Sequence, residues 1–200
     1  MSQLLLRLRA ELQATDDAER QAELLARIAG QLARLGQFDQ ARQAIAELRA
    51  IYGDGRSGRA TVWIMLAEGL VHFYSECHAL ALDRMTRAQV LAVAMKLSDV
   101  VAIVSAWKAQ IEFETPKYDA MIQSLNIGLT HVSDDDLDAQ TRLAIVLSNS
   151  FMICGDVDEA QRWFIRGRNY ALRNGDQASI EALLYNRAAL GILICERDGA

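Results

Sequence analysis

The chain of 200 residues is poor in the residues that interrupt helices or cross-link chains. It contains one proline, Pro116, and this scarcity, together with abundant alanine and leucine, favours helices over strands and turns. Its three cysteines, Cys77, Cys154 and Cys195, are an odd and scattered set, which argues against a disulfide framework. We expect them to be small buried side chains.

Long apolar runs are also missing. No stretch of about 18 uncharged apolar residues occurs, so the sequence predicts no membrane span. The short apolar patch at residues 4–6 is followed, not preceded, by Arg7 and Arg9, the reverse of a signal peptide. We therefore expect a cytoplasmic protein.

Basic charge is not in excess. The formal net charge is −5, and residues 61–140 carry 11 acidic and only 5 basic side chains. Phosphate backbones need a basic surface, so nucleic acid is not expected as a partner. An acidic middle suits a basic peptide or protein, although an acidic solvated face is the commoner meaning of such a bias.

A helical hairpin signature recurs along the chain. It is clearest at residues 36–41 (GQFDQA) and 155–160 (GDVDEA), 119 residues apart. Weaker copies at 76–81 and 116–121 divide this interval into steps of about 40 residues. A fixed period of this length predicts stacked helical repeats.

The apolar spacing between the repeat signatures is helical, which predicts an all-α fold in a single helical-repeat domain over residues 1–200. The predicted units are a leading helix at 2–14, repeat 1 at 18–52, repeat 2 at 57–96, repeat 3 at 99–132, repeat 4 at 136–174, and a terminal helix of an incomplete fifth repeat at 177–195. Because the chain starts and stops out of phase with its repeat, we expect either a longer solenoid or self-association through the terminal helices.

These residues resemble the tetratricopeptide repeat (TPR) family. The resemblance rests on small residues in both helices, a glycine at the turn and a large side chain after it: Ala29, Gly36, Phe38 and Ala41 in the first unit, and Ser148, Gly155, Val157 and Ala160 in the fourth. The second unit departs from the pattern at Glu76 and His78, and the third at Pro116 and Met121. The long period is similar to the subgroup found in bacterial regulators and kinesin light chains. The resemblance implies an α-α superhelix of about ten helices that binds proteins or peptides.

In this family the first helix of each pair lines the ligand groove. At the positions where co-chaperone members clamp a terminal carboxylate, this chain has side chains that cannot bind one: Ala26, Gly30, Ala67, Ile103 and Trp107. The resemblance instead implies an apolar groove lined by Trp63, Leu66, Leu70, Phe73, Tyr74, Ile103, Phe113 and Asn149.

The helix that supplies most of this groove is apolar nearly all round, from Trp63 to Tyr74. Such a helix is buried on more than one side. Two interpretations remain open: its apolar side is core within a tightly wound stack, or it is a contiguous apolar surface that awaits a partner.

Other motifs have simpler explanations. Residues 53–61 have the glycine spacing of a phosphate loop but follow a helix and lack its lysine. Residues 134–138 alternate like a calcium loop without its glycine, and they suit a capped helix start better. Basic and aromatic residues alternate over 157–174, but acidic residues share that helix. No metal or cofactor is expected.

The sequence thus predicts a non-catalytic protein–protein interaction module that presents its first-helix groove to a peptide or partner helix. The alternative is a sensory or regulatory segment of a larger signalling or transcription-regulating protein. An enzyme is the least favoured reading, because Glu68 and His72, one helical turn apart, are the only candidate acid–base pair.

Overall fold

The structure is a computed structural model that describes residues 2–53, 55 and 57–198, except for the side chains of Leu190 and of residues 193–198. This part of the chain contains ten α-helices and no strand. The helices are α1 (Gln3–Ala14), α2 (Ala18–Arg34), α3 (Phe38–Tyr52), α4 (Gly58–Tyr74), α5 (His78–Ala94), α6 (Ser98–Glu114), α7 (Tyr118–His131), α8 (Leu137–Cys154), α9 (Val157–Asn174) and α10 (Gln177–Asp198).

The helices stack as hairpins in two layers. The pairs α2–α3, α4–α5, α6–α7 and α8–α9 pack most closely. The first helix of each pair also contacts the first helix of the next, so α2, α4, α6, α8 and α10 follow one another as an inner layer. The fold is an all-α solenoid, which confirms the predicted fold class.

Left-handed turns join the two helices of each hairpin. Gly36 and Gly155 occupy these turns at φ 73° and φ 82°, a conformation that glycine adopts without steric cost. The second unit keeps the same kind of turn with Glu76 at φ 61°, where a side chain costs about 1 kcal/mol. The turn geometry therefore persists in a unit where the sequence signature is lost.

Side-chain caps define several helix starts. The carboxylate of Asp17 accepts hydrogen bonds from the backbone N–H groups of Glu19 and Arg20, and Ser57 caps α4 in the same way. Asp136 and Asp156 cap α8 and α9. These polar residues set the boundaries between successive apolar helices.

A nearly continuous core runs between the layers. The largest cluster of buried apolar side chains extends from α1 to α6 and includes Ala139 of α8, and smaller clusters continue the core through α7, α8 and α9 to α10. Helices α4 and α5 approach closely at Gly69, where an added Cβ would lie 2.8 Å from Met85 Cε. Gly69 therefore lies at the contact between α4 and α5. No helix in the described residues is long and apolar enough to cross a membrane.

The prediction of buried cysteines is wrong for the two whose side chains the structure describes. Cys77 and Cys154 are free and exposed. Both lie at hairpin turns, Cys77 just before α5 and Cys154 at the end of α8, where the chain faces solvent. The side chain of Cys195 lies outside the described residues.

Candidate functional site

The inner layer of the solenoid encloses a central cavity of about 50 Å³. Helices α2, α4, α6 and α8 and the start of α10 form its wall, with Leu8 of α1. The larger apolar and aromatic side chains of the lining are Trp63, Leu66, Leu70, Tyr74, Ile103 and Trp107, and Ala26 and Gly30 also line the cavity. The polar lining consists of Arg27, Gln31, Arg34, Asp138, Thr141, Arg142, Asp176 and Ser179. A cavity of this size holds about three or four water-sized groups, so it is too small for a peptide in this conformation.

The structure brings together most of the predicted groove residues. Five of the eight line the central cavity: Trp63, Leu66, Leu70, Tyr74 and Ile103. Phe73 lies beside them, with its ring centroid 5.0 Å from that of Tyr74 and 5.7 Å from that of Trp107. Phe113 packs on the smaller cluster of α6, α7 and α8, and Asn149 is buried on α8.

The apolar side of α4 is thus turned into the stack. Trp63 is 2% exposed, Leu66 3% and Leu70 6%. They belong to the largest core cluster, whose members come from seven helices. In this conformation the apolar side of α4 is core within the stack, because its side chains contact neighbouring helices.

Polar side chains close the cavity by joining helices that are far apart in the chain. Arg27 of α2 pairs with Asp138 of α8 at 3.0 Å, and Arg34 of α2 pairs with Asp176, the residue before α10, at 3.1 Å. Asp176 also accepts a hydrogen bond of 2.6 Å from the Ser179 hydroxyl. The superhelix therefore winds tightly enough for its first hairpin to touch its last helices.

A further contact lies beside these pairs. Arg7 of α1 donates a hydrogen bond of 2.7 Å to the side-chain oxygen of Asn174. The side-chain nitrogen of Asn174 donates a hydrogen bond of 2.5 Å to Asp138. Asp138 thus connects the cavity wall to the ends of α1 and α9. The first and last parts of the stack are held together by hydrogen-bonded side chains.

Arg142 of α8 differs from the other two arginines of the wall. It is 8% exposed, and its guanidinium lies 3.7 Å from the centroid of the Trp107 ring. Burial lowers the pKa of Arg142, because the charged form loses its hydration. It forms no hydrogen bond and no ion pair with any residue that the structure describes.

Sequence reasoning missed the polar lining of the cavity. Arg27 and Arg34 are seven residues apart, on the same face of α2 as the predicted groove positions Ala26 and Gly30. This seven-residue spacing on the groove face was the sequence signal that could have indicated Arg27 and Arg34 as lining residues. No local pattern marks Arg142, which follows Asp138 by four residues and resembles an ordinary solvated pair on a helix surface.

The candidate acid–base pair is held by other partners. Glu68 pairs with Arg49 and Arg84, and both of its oxygens are engaged. His72 lines a surface depression beside these two arginines. The contacts of Glu68 are those of a carboxylate that links three helices.

The other sequence motifs have structural partners. Arg59 of the glycine-containing loop pairs with Asp99, while Asp54 and Arg56 lie outside the described residues. Asp136 accepts a hydrogen bond of 3.1 Å from the Ala139 backbone N–H, as expected of a helix cap. Burial nevertheless raises the pKa of Asp136 to about 6, against an ordinary value of 3.8.

Comparison with known proteins places the chain in a fold class. No protein-family model and no curated protein sequence matches it. Among solved structures, it is similar to aspartyl phosphate phosphatase F from Bacillus subtilis, with a TM-score of 0.61, 12% sequence identity and coverage of 90% of this chain. The chain spans 48% of the length of that protein. At this identity the likeness shows a shared helical-repeat fold.

Proposed function

We propose that the chain is a non-catalytic protein-interaction module whose partner, a peptide or a helix, occupies the space between its first helices. The observation that carries this proposal is the convergence of Trp63, Leu66, Leu70, Tyr74 and Ile103 around one cavity. Aromatic and aliphatic side chains on successive helices are suited to hold an extended or helical segment. The long-repeat TPR subgroup, cytoplasmic location and a basic partner stay predictions within this proposal.

Binding of a partner requires the stack to open. In the described conformation the Arg27–Asp138 and Arg34–Asp176 pairs hold α2 against α8 and the start of α10. These contacts are made by side chains, so they can separate without unfolding a hairpin. A partner that competes for these charges would shift the stack toward an open form.

A regulatory segment of a larger signalling protein is the second candidate. The observation that favours it is the same closure, because a stack held shut by two ion pairs would take a second, open arrangement if those pairs separated. A ligand that prefers one arrangement would change how the ends of the stack are presented. Both candidate functions use the central cavity. In the first, opening of the stack admits a partner, and in the second it changes how the ends of the stack are presented.

The experiment is selection of binding peptides from a random phage-displayed library, followed by tryptophan fluorescence with a selected synthetic peptide. Trp63 and Trp107 line the cavity, whereas Trp163 lies on the outer helix α9 beside Arg166. Trp163→Phe therefore reports on the inner tryptophans alone. We expect the peptide to change the emission of Trp163→Phe as much as that of the wild type, and mass spectrometry to recover the peptide unchanged.

Two results would contradict the proposal. A fluorescence change that disappears in Trp163→Phe would place the peptide on the outer layer. Cleavage or modification of the peptide would contradict the non-catalytic assignment.

A further inference from the structure

The charges that line the central cavity do not balance. Three arginines and two aspartates contribute to its wall. Arg27 pairs with Asp138 and Arg34 with Asp176, whereas the guanidinium of Arg142 forms no ion pair with any described residue. A buried charge without a partner is costly, because protein does not replace the hydration that the charge has lost.

The negative charges of Asp176 and Glu114 favour the charged form of Arg142, but neither carboxylate forms an ion pair or hydrogen bond with it. Glu114 accepts a hydrogen bond of 2.7 Å from Gln110 and lies 3.4 Å from the His78 ring. Asp176 is shared by Arg34 and Ser179. The nearby Arg34 cation acts in the opposite direction, since it disfavours the charged form of Arg142.

The unpaired polar groups of the wall are hydrogen-bond donors. Arg27 Nε and Trp63 Nε1 are buried without an acceptor. The Tyr74 hydroxyl forms no hydrogen bond with any described residue, and burial raises the pKa of Tyr74, so that it keeps its proton. A surplus of donors beside a guanidinium that has no hydrogen-bond or ion-pair partner suits a ligand with negative charge and several acceptor oxygens.

We propose that the central cavity is a binding site for one small monoanion, a carboxylate or inorganic oxyanion, held by the guanidinium of Arg142. The Trp107 ring covers one face of the guanidinium and leaves its N–H edge for the anion. The volume of about 50 Å³ admits an anion of a few heavy atoms. Arg142 lies on α8 and is not one of the carboxylate-clamp positions, although four of those positions, Ala26, Gly30, Ile103 and Trp107, line the same cavity.

This inference goes beyond the proposed function, because it concerns the closed stack and needs no peptide. An anion on Arg142 lies between α2, α4, α6 and α8 and neutralises the charge that opposes closure. It would therefore stabilise the folded, closed protein by an amount that grows with anion concentration.

The test is thermal unfolding of the full chain in sodium formate, with sodium gluconate, a bulkier carboxylate, at the same ionic strength as the reference. We expect formate to raise the melting temperature by about 5 °C or more at a hundred-fold excess over its dissociation constant. Arg142→Met should abolish this shift. Arg166→Met is the matched control, since Arg166 also stacks on a tryptophan, 4.7 Å from the Trp163 ring centroid, on the outer helix, and it should keep the shift.

A shift that survives in Arg142→Met, or equal melting in formate and gluconate, would overturn the proposal. If Arg142→Met does not fold, Arg142→Lys is used instead, because lysine keeps the positive charge but not the planar guanidinium. Titration calorimetry with formate should then show at least a tenfold weaker affinity than the wild type. Equal affinity would also overturn the assignment to Arg142.

Discussion

The ion pair between Arg34 and Asp176 should contribute strongly to stability, although such pairs on protein surfaces contribute little. Asp176 is 6% exposed, and the side chain of Arg34 is 12% exposed. The change to make is Asp176→Asn, because asparagine keeps an oxygen that can accept from the backbone N–H of Ser179 and so retains the cap of α10. What the variant loses is the negative charge opposite Arg34.

The expected cost follows from the burial of the pair. Removing one partner of a buried ion pair leaves an uncompensated cation and typically costs 3–5 kcal/mol, and with the cap retained we expect about 3 kcal/mol. In urea unfolding followed by far-ultraviolet circular dichroism, this corresponds to a fall in the midpoint of roughly 1 to 2 M. Arg34→Met combined with Asp176→Asn should recover most of the loss, because no charge is then left unpaired.

The control is Asp39→Asn. Asp39 pairs with Arg42 at 3.2 Å, but it is fully exposed, so its loss should leave the urea midpoint unchanged. The reasoning fails if Asp176→Asn unfolds at the wild-type urea concentration. It also fails if the double variant is no more stable than Asp176→Asn, because the cost would then not come from the unpaired arginine.

Two further predictions concern the wall and the rim of the cavity. Trp63→Ala should lower the free energy of unfolding by about 3–5 kcal/mol in urea, because Trp63 is buried core, and an unchanged value would show that this side of α4 is a free surface. Asp136 has a folded-state pKa of about 6 against an ordinary value of 3.8, so the folded protein binds a proton more readily than the unfolded chain in this range. The free energy of unfolding of the wild type should therefore fall as pH rises from about 4 to about 6 and Asp136 loses its proton. The free energy of unfolding of Asp136→Asn should fall less over the same range. Urea unfolding of both proteins at about pH 4.5 and about pH 7.5 measures the difference, and parallel changes would exclude Asp136 as its source.

The fold could be predicted from the sequence because its determinants are local. Glycines at positions 36 and 155 mark left-handed turns, and the apolar period between such turns marks the helices. Even the second unit, where Glu76 replaces the glycine, was found from its distance to the other copies. A repeat that stacks on its neighbours needs little more information than this.

The apolar half of the candidate site was also within reach of the sequence. Trp63, Leu66 and Leu70 share one face of a helix that is apolar nearly all round, and that pattern correctly indicated burial on more than one side. The cysteines show the limit of the same reasoning. A small apolar residue type predicts burial, but Cys77 and Cys154 lie at turns that face solvent.

The polar half could not be predicted, because it depends on how tightly the superhelix winds. Arg34 and Asp176 are 142 residues apart, and nothing in the local pattern of either segment indicates that they meet. Arg142 could not be predicted for the same reason. Its lack of an ion-pair partner becomes visible only when the structure shows that Asp138 pairs with Arg27 and Asp176 with Arg34.

The contacts between the first and last hairpins change how the stack should lose its structure. In an open solenoid each unit touches only its neighbours, so the terminal units fray independently. Here Arg7 reaches Asn174 and Arg34 reaches Asp176, so the two terminal units are also neighbours of each other. In the closed conformation, fraying at one end must break contacts at the other, so these side chains couple the two ends of the stack.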